Sequence, residues 1–171
     1  MLKTNRIQEQ GFTLIELLMV ILVIGVLAAM GISQFVNFGK DAKDSALKAN
    51  LQLIRRGISA QNGMMRVRCG VTTASFPDVQ SIEANNIADG NSTCDTTMIP
   101  NTEDRKFVSG DELPNNPWTA AGDDANDVHT DCTLATRAVG ATAGGWCYDS
   151  ATGTFWANTA NNGDTPAENL Y

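Results

Sequence analysis

The sequence predicts an α+β protein: a long N-terminal helix, its second half packed on a small antiparallel sheet, and a loop-rich, disulfide-containing C-terminal region. Three observations predict it. From Phe12 to Ile32 only Thr13 and Glu16 are polar. Apolar residues then recur at three- and four-residue steps as far as Ala60. Near the far end, two aromatic-rich runs flank a short turn that finishes on Gly153. With 171 residues the chain has room for one globular domain and an extension.

The apolar run reads as a membrane span. Its 21 residues would reach roughly 31 Å as a helix, close to the thickness of a bilayer's hydrocarbon layer. A secretory signal would carry its apolar stretch before the cleavage site, whereas here a short polar leader, residues 1–11, comes first. A helix in a globular core would seldom be apolar on every face. Lys3 and Arg6 in the leader place the N-terminus on the cytoplasmic side and send the C-terminal domain outward. Gly25 and Ala29, four residues apart, offer a small face for close helix packing.

Past the membrane the helix is expected to continue. One stripe runs Phe35, Phe38, Ala42, Ala46, Ala49, Leu53 and Ala60, with Leu47, Ile54 and Ile58 beside it. Lys40, Asp41, Lys43, Asp44, Lys48 and Arg55 mark the other face, and Asn62-Gly63 reads as the stop. Residues 69–117 read mostly as loop, with breakers at Asn85-Asn86, Asp89-Gly90-Asn91 and Pro100-Asn101. The runs 144–149 and 154–158 read as a β-hairpin. The expected organisation is a leader at 1–11, a membrane helix at 12–33, its amphipathic continuation at 34–62 and a globular head at 63–171.

Charge and cysteines narrow the function. The net charge is −7, and without residues 1–11 there remain 10 basic and 18 acidic side chains, a net of −8. Such a balance repels phosphate backbones and disfavours nucleic-acid binding; Arg55, Arg56, Arg66 and Arg68 read as a solvated, ion-paired helix face. Cys69, Cys94, Cys132 and Cys147 form no Cys-x-x-Cys pair, so disulfides in an oxidising compartment are expected. Three pairings are open. The one that links neighbouring segments, Cys69 with Cys94 and Cys132 with Cys147, is preferred. That compartment agrees with the outward domain derived from the leader's charge.

Glu16 is the anomaly. A carboxylate at a bilayer centre costs about 2.5–3.5 kcal/mol on insertion scales, and less near the interface. Either its carboxylate reaches the headgroups, or it pairs with an amine exposed by cleavage before Phe12, from its own or an adjacent chain. Asp123, Asp124, Asn126, Asp127 and Asp131 form an acidic cluster of oxygen ligands that would suit calcium. The glycine and spacing of an EF-hand loop are absent, and a solvated surface loop is the preferred reading. Asn91-Ser92-Thr93 matches a glycosylation sequon. His129 is the single histidine, and no nucleophile elbow, phosphate loop or dinucleotide fingerprint is present, so catalysis and an organic cofactor are not expected.

Gly11-Phe12-Thr13-Leu14-Ile15-Glu16-Leu17-Leu18, after a short basic leader, resembles the processing motif of type IV prepilins and type II secretion pseudopilins. The resemblance implies cleavage between Gly11 and Phe12 by a membrane aspartyl peptidase, N-methylation of Phe12, and docking of each subunit through Glu16 on a neighbour's N-terminal amine. It further implies an inner-membrane assembly platform and a polymer of like subunits, as a surface pilus or a periplasmic pseudopilus. Gly25 matches a glycine common in the family's helix. Ser33 stands where the family usually has proline, which leaves a helix kink there open. Leu113-Pro114-Asn115-Asn116-Pro117-Trp118 and the hairpin look like the C-terminal half of pseudopilin-like proteins, and major pseudopilins carry a calcium loop in the region of the acidic cluster. A minor pilin binding at a filament tip is the alternative, with Glu16 favouring a body subunit.

Overall fold

A computed structural model describes residues 11–70, 76–88, 94–133, 144–159 and 168–171, apart from the side chains of 33–37. The leader before Gly11 and the sequon at Asn91 lie outside the described residues. The elements in order are α1 (Leu14–Arg68), α2 (Val79–Glu83), a 3-10 turn (Glu103–Arg105), β1 (Val128–His129), β2 (Trp146–Asp149), β3 (Thr154–Ala157) and a second 3-10 turn (Glu168–Leu170). The chain divides into two compact units, 1–41 and 42–171.

In the first unit, the part of α1 from Leu14 to Ile32 is long and apolar enough to cross a membrane, and none of it is buried within the chain. Every large apolar side chain from Phe12 to Leu27 is at least half exposed or nearly so.

In the second unit α1 supplies one wall of the core. Its buried side chains are Leu47, Leu51, Ile54, Ile58 and Met65, a 4-3-4-7 spacing that keeps them on one face. That face is not the stripe expected from the sequence. Ala42, Ala46, Ala49, Leu53 and Ala60 are exposed, and the branched residues expected beside the stripe are the ones that fill the core. Size explains the rotation: burying Leu and Ile removes far more apolar surface from water than burying alanines. Asn62-Gly63 does not stop the helix either. The helix runs on to Arg68, Asn62 is buried, and Gly70 at φ +66 lies just beyond the end.

The sheet is mixed rather than antiparallel throughout. β2 and β3 form the expected antiparallel hairpin, with Trp146 opposite Ala157 and Tyr148 opposite Phe155, but β1 adds in parallel, Val128 opposite Trp146. Trp146, Tyr148, Phe155 and Ala157 join the core cluster with Ile82, Ile87, Ile99, Phe107, Val108 and Leu113. The ring of Phe155 sits 5.5 Å from that of Trp146 and 6.1 Å from that of Tyr148, the tilted arrangement aromatic pairs prefer. At the turn, Gly153 takes φ +71 while the Phe76 ring lies where a Cβ would be.

Buried polar groups position the loops. Asn85 follows α2 at φ +49, a conformation asparagine tolerates. Its Oδ1 accepts from the amides of Phe107 and Val108, and its Nδ2 donates to the carbonyls of Val108 and Gly110, at 2.9–3.1 Å. Asn116 Nδ2 donates to Gly145 O at 2.6 Å, and Trp146 Nε1 donates to Pro114 O at 3.0 Å, tying the 113–118 segment to the hairpin. Tyr148 Oη donates to Pro77 O, and burial pushes its phenol far above the ordinary value, keeping that donor protonated.

Cys69 is bonded to Cys94 and Cys132 to Cys147, with Cα separations of 5.3 and 6.0 Å. One bond ties the end of α1 to the loop after α2; the other ties the segment after β1 to the middle of β2.

Candidate functional site: the start of the first helix

Thr13 and Glu16 together begin α1. Glu16 N donates to Thr13 Oγ1 at 3.3 Å, and Glu16 Oε2 accepts in return from Thr13 N and Thr13 Oγ1, both at 3.4 Å. This is a capping box, in which each side-chain oxygen accepts from the other residue's otherwise orphaned backbone amide. Its signal in the sequence is Thr-x-x-Glu before an apolar run, Thr13-Leu14-Ile15-Glu16. The carboxylate also sits in the first turn, where the helix dipole favours negative charge.

The geometry therefore aims Glu16 back toward the chain preceding α1, where Gly11 and Phe12 lie. Phe12, Glu16 and Val20, at four-residue spacing, line one shallow groove with Leu17. Phe12 is 82% exposed, and a Cβ at Gly11 would meet nothing within 4 Å. The Gly11–Phe12 bond is thus open to an approaching protein. Glu16 is the sole titratable side chain from Gly11 to Gly39.

The acidic residues behave differently from one another. Asp124, Asn126 and Asp127 line a cleft of about 310 Å³, together with Glu83 from the end of α2 and Glu112, which the sequence did not mark; Asp123 and Asp131 do not line it. Glu83 is held above the usual carboxylate range, first by partial burial and then by a hydrogen bond to Asp127 and its charge. His129 Nε2 lies 3.6 Å from Asp127. Among the described residues, no group of three or more acidic, histidine or cysteine side chains is disposed to hold a metal ion.

Comparison with known proteins bears on the helix start. The family described as the prokaryotic N-terminal methylation motif matches residues 6–32, which contain Gly11, Phe12 and Glu16. The chain carries a prepilin-type methylation motif. Over 47 residues it is 45% identical to the type IV major pilin protein PilA of Myxococcus xanthus (strain DK1622), covering 28% of this chain and 21% of that protein. The chain thus spans about a fifth of that relative's length. No solved structure matches. In this segment the chain is similar to a type IV pilin, and Gly11, Phe12 and Glu16 lie together at the beginning of one apolar helix.

Proposed function

We propose that the protein is a structural, non-enzymatic subunit of a type IV pilus or a related filament. The carrying observation is a lone carboxylate at the start of the apolar stretch Leu14–Ile32, which is not buried within the chain and overlaps the methylation motif. In this reading the precursor sits in the inner membrane as a single-pass protein with residues 1–11 on the cytoplasmic side. A prepilin peptidase cuts between Gly11 and Phe12 and methylates Phe12. The new amine gives Glu16 a cationic partner. Within a filament core the partner belongs to the adjacent subunit, and the attraction offsets the cost of placing a carboxylate among apolar side chains. Exposed faces of the Phe12–Ile32 stretch bury against like helices, and an assembly platform in the inner membrane adds subunits one by one.

A periplasmic pseudopilus of a type II secretion system is the second reading. The observation favouring it is the 113–118 segment, whose Asn116 and Pro114 hold the hairpin by direct hydrogen bonds and whose sequence resembles pseudopilins.

Glu16→Ala tests the proposal. The variant is expected to enter the membrane and lose residues 1–11 normally, yet to drop out of sheared filaments viewed by electron microscopy. Filaments in normal yield would overturn the docking role. Intact mass of the natural protein tests the processing separately: a chain retaining its first eleven residues has no Phe12 amine to offer.

A further inference from the structure

One stripe of α1 within the second unit is left exposed, and no described residue covers it. Ala49, Leu53, Arg56, Ala60, Gly63 and Val67 fall within about 80° of one another around the helix axis at ~100° per residue, and all are exposed, Leu53 at 47% and Val67 at 84%. Arg56 is the charge at its centre, two residues from both Ile54 and Ile58, and so turned directly away from the core. Among the described residues Arg56 has no ion pair or hydrogen bond from its side chain. Four cations elsewhere around this helix are occupied: Lys43 lies over Trp118, Lys48 over Tyr171, Arg55 donates to Phe155 O and Tyr171 O, and Arg68 pairs with Asp104.

The complementary surface is elsewhere on the same molecule. The cleft between Glu83, Glu112, Asp124 and Asp127 gathers four carboxylates, and among the described residues no lysine or arginine is paired to any of them; His129 Nε2 lies 3.6 Å from Asp127. Glu83 follows the core residue Ile82 on α2, beside β1. Arg56, facing out from the helix that forms the core's other wall, pairs with none of these acids within its own chain.

We propose that this helix face docks on a second copy of the chain, with Arg56 entering the neighbour's acidic cleft and Leu53 and Val67 covered around it. The inference rests on the filament reading and names the contact between heads. A patch that fits a different patch on an identical molecule makes a head-to-tail contact, which propagates into an open helical polymer unless its rotation closes a ring. A guanidinium suits the cleft because its five donors can satisfy two carboxylates at once.

The experiment uses the full chain in its native filaments. Arg56→Glu is expected to lower filament yield by at least about tenfold, and a second change, Asp124→Arg, to restore most of it. In parallel, filaments of Arg56→Lys are treated with a zero-length carbodiimide, which joins an amine to a touching carboxylate. Mass spectrometry is expected to find residue 56 linked to Glu83, Glu112, Asp124 or Asp127 of another copy. Unchanged yield from Arg56→Glu, or links from residue 56 only to other acids, overturns the docking while leaving the filament reading intact. Absence of filaments from the unaltered chain sinks that reading, and the docking with it.

Discussion

Single residues carry unequal weight in this molecule, and the heaviest are small. Gly57 faces the backbone of Phe107, whose carbonyl occupies the place where a Cβ would go. Gly57→Ala must push that loop off α1, so the variant is expected to lose about 2 kcal/mol or more despite its better helix propensity, read from its denaturation midpoint. Asn85→Ala removes the partner of four backbone groups at once and is expected to cost about 3 kcal/mol or more. Glu83 works in the opposite sense. Its folded-state pKa is raised above the ordinary 4.5 by partial burial and by Asp127, so in that window the native state binds more protons than the unfolded one. The stabilisation is complete below the unfolded value and is lost as pH rises through the folded one. Glu83→Gln is accordingly expected to be more stable than the parent at neutral pH, with the advantage vanishing in acid. Urea midpoints at both pH values check it, and a lower midpoint for the variant at neutral pH refutes the assignment.

At the scale of elements, the sequence was legible wherever one periodicity or one turn decided the outcome. The hairpin's strands and its Gly153 turn follow from aromatic runs around a glycine. The apolar first half of α1 follows from composition alone. What was misread has a common cause: a pattern names the faces of a helix but not which face meets the core. The stripe with more apolar positions lost to the one with larger side chains, and Asn62-Gly63 was absorbed because Gln61 Nε2, beside it, donates to the carbonyls of Asp104 and Lys106 and holds that stretch against the loop. β1, two residues long, and α2, five, were too short to leave a signal. Of the candidate sites, Gly11, Phe12 and Glu16 were readable as neighbours in sequence. The acidic cleft was half readable, since Glu83 and Glu112 reach it only through tertiary contacts. The disulfides belong to this scale as well. They span 25 and 15 residues, and closing such loops in the unfolded chain is worth about 3 kcal/mol each. Replacing Cys132 and Cys147 by serine leaves one buried hydroxyl inside the sheet as well as opening a loop, because Cys147 is wholly buried in β2. Cys94 is likewise wholly buried, within the core cluster, so this double variant and the one replacing Cys69 and Cys94 are both expected to melt at lower temperature than the parent, which thermal melting measures.

For the whole molecule, the division between units has a direct consequence for stability. Every residue of the core cluster comes from Leu47 onward. A chain beginning at Ala42 is therefore expected to fold alone, in oxidising conditions, as a monomer with one cooperative transition. Aggregation or a gradual melt would mean that the core draws on the earlier helix. The same division separates two kinds of chemistry: lipid-compatible packing before residue 41, and an acidic head afterwards that needs a specific contact to overcome like-charge repulsion between copies.

The capping box gives the apolar helix a resting occupation for its carboxylate. While no neighbour is present, Glu16 is engaged by Thr13 through contacts of 3.4 Å, long enough to be weak. On the filament reading, arrival of a neighbour's amine then trades one set of partners for a stronger one, without a moment at which the charge stands bare among apolar side chains. Thr13→Val removes the hydroxyl from that holding pattern, so the idle monomer, rather than the finished fibre, is where its loss should be felt.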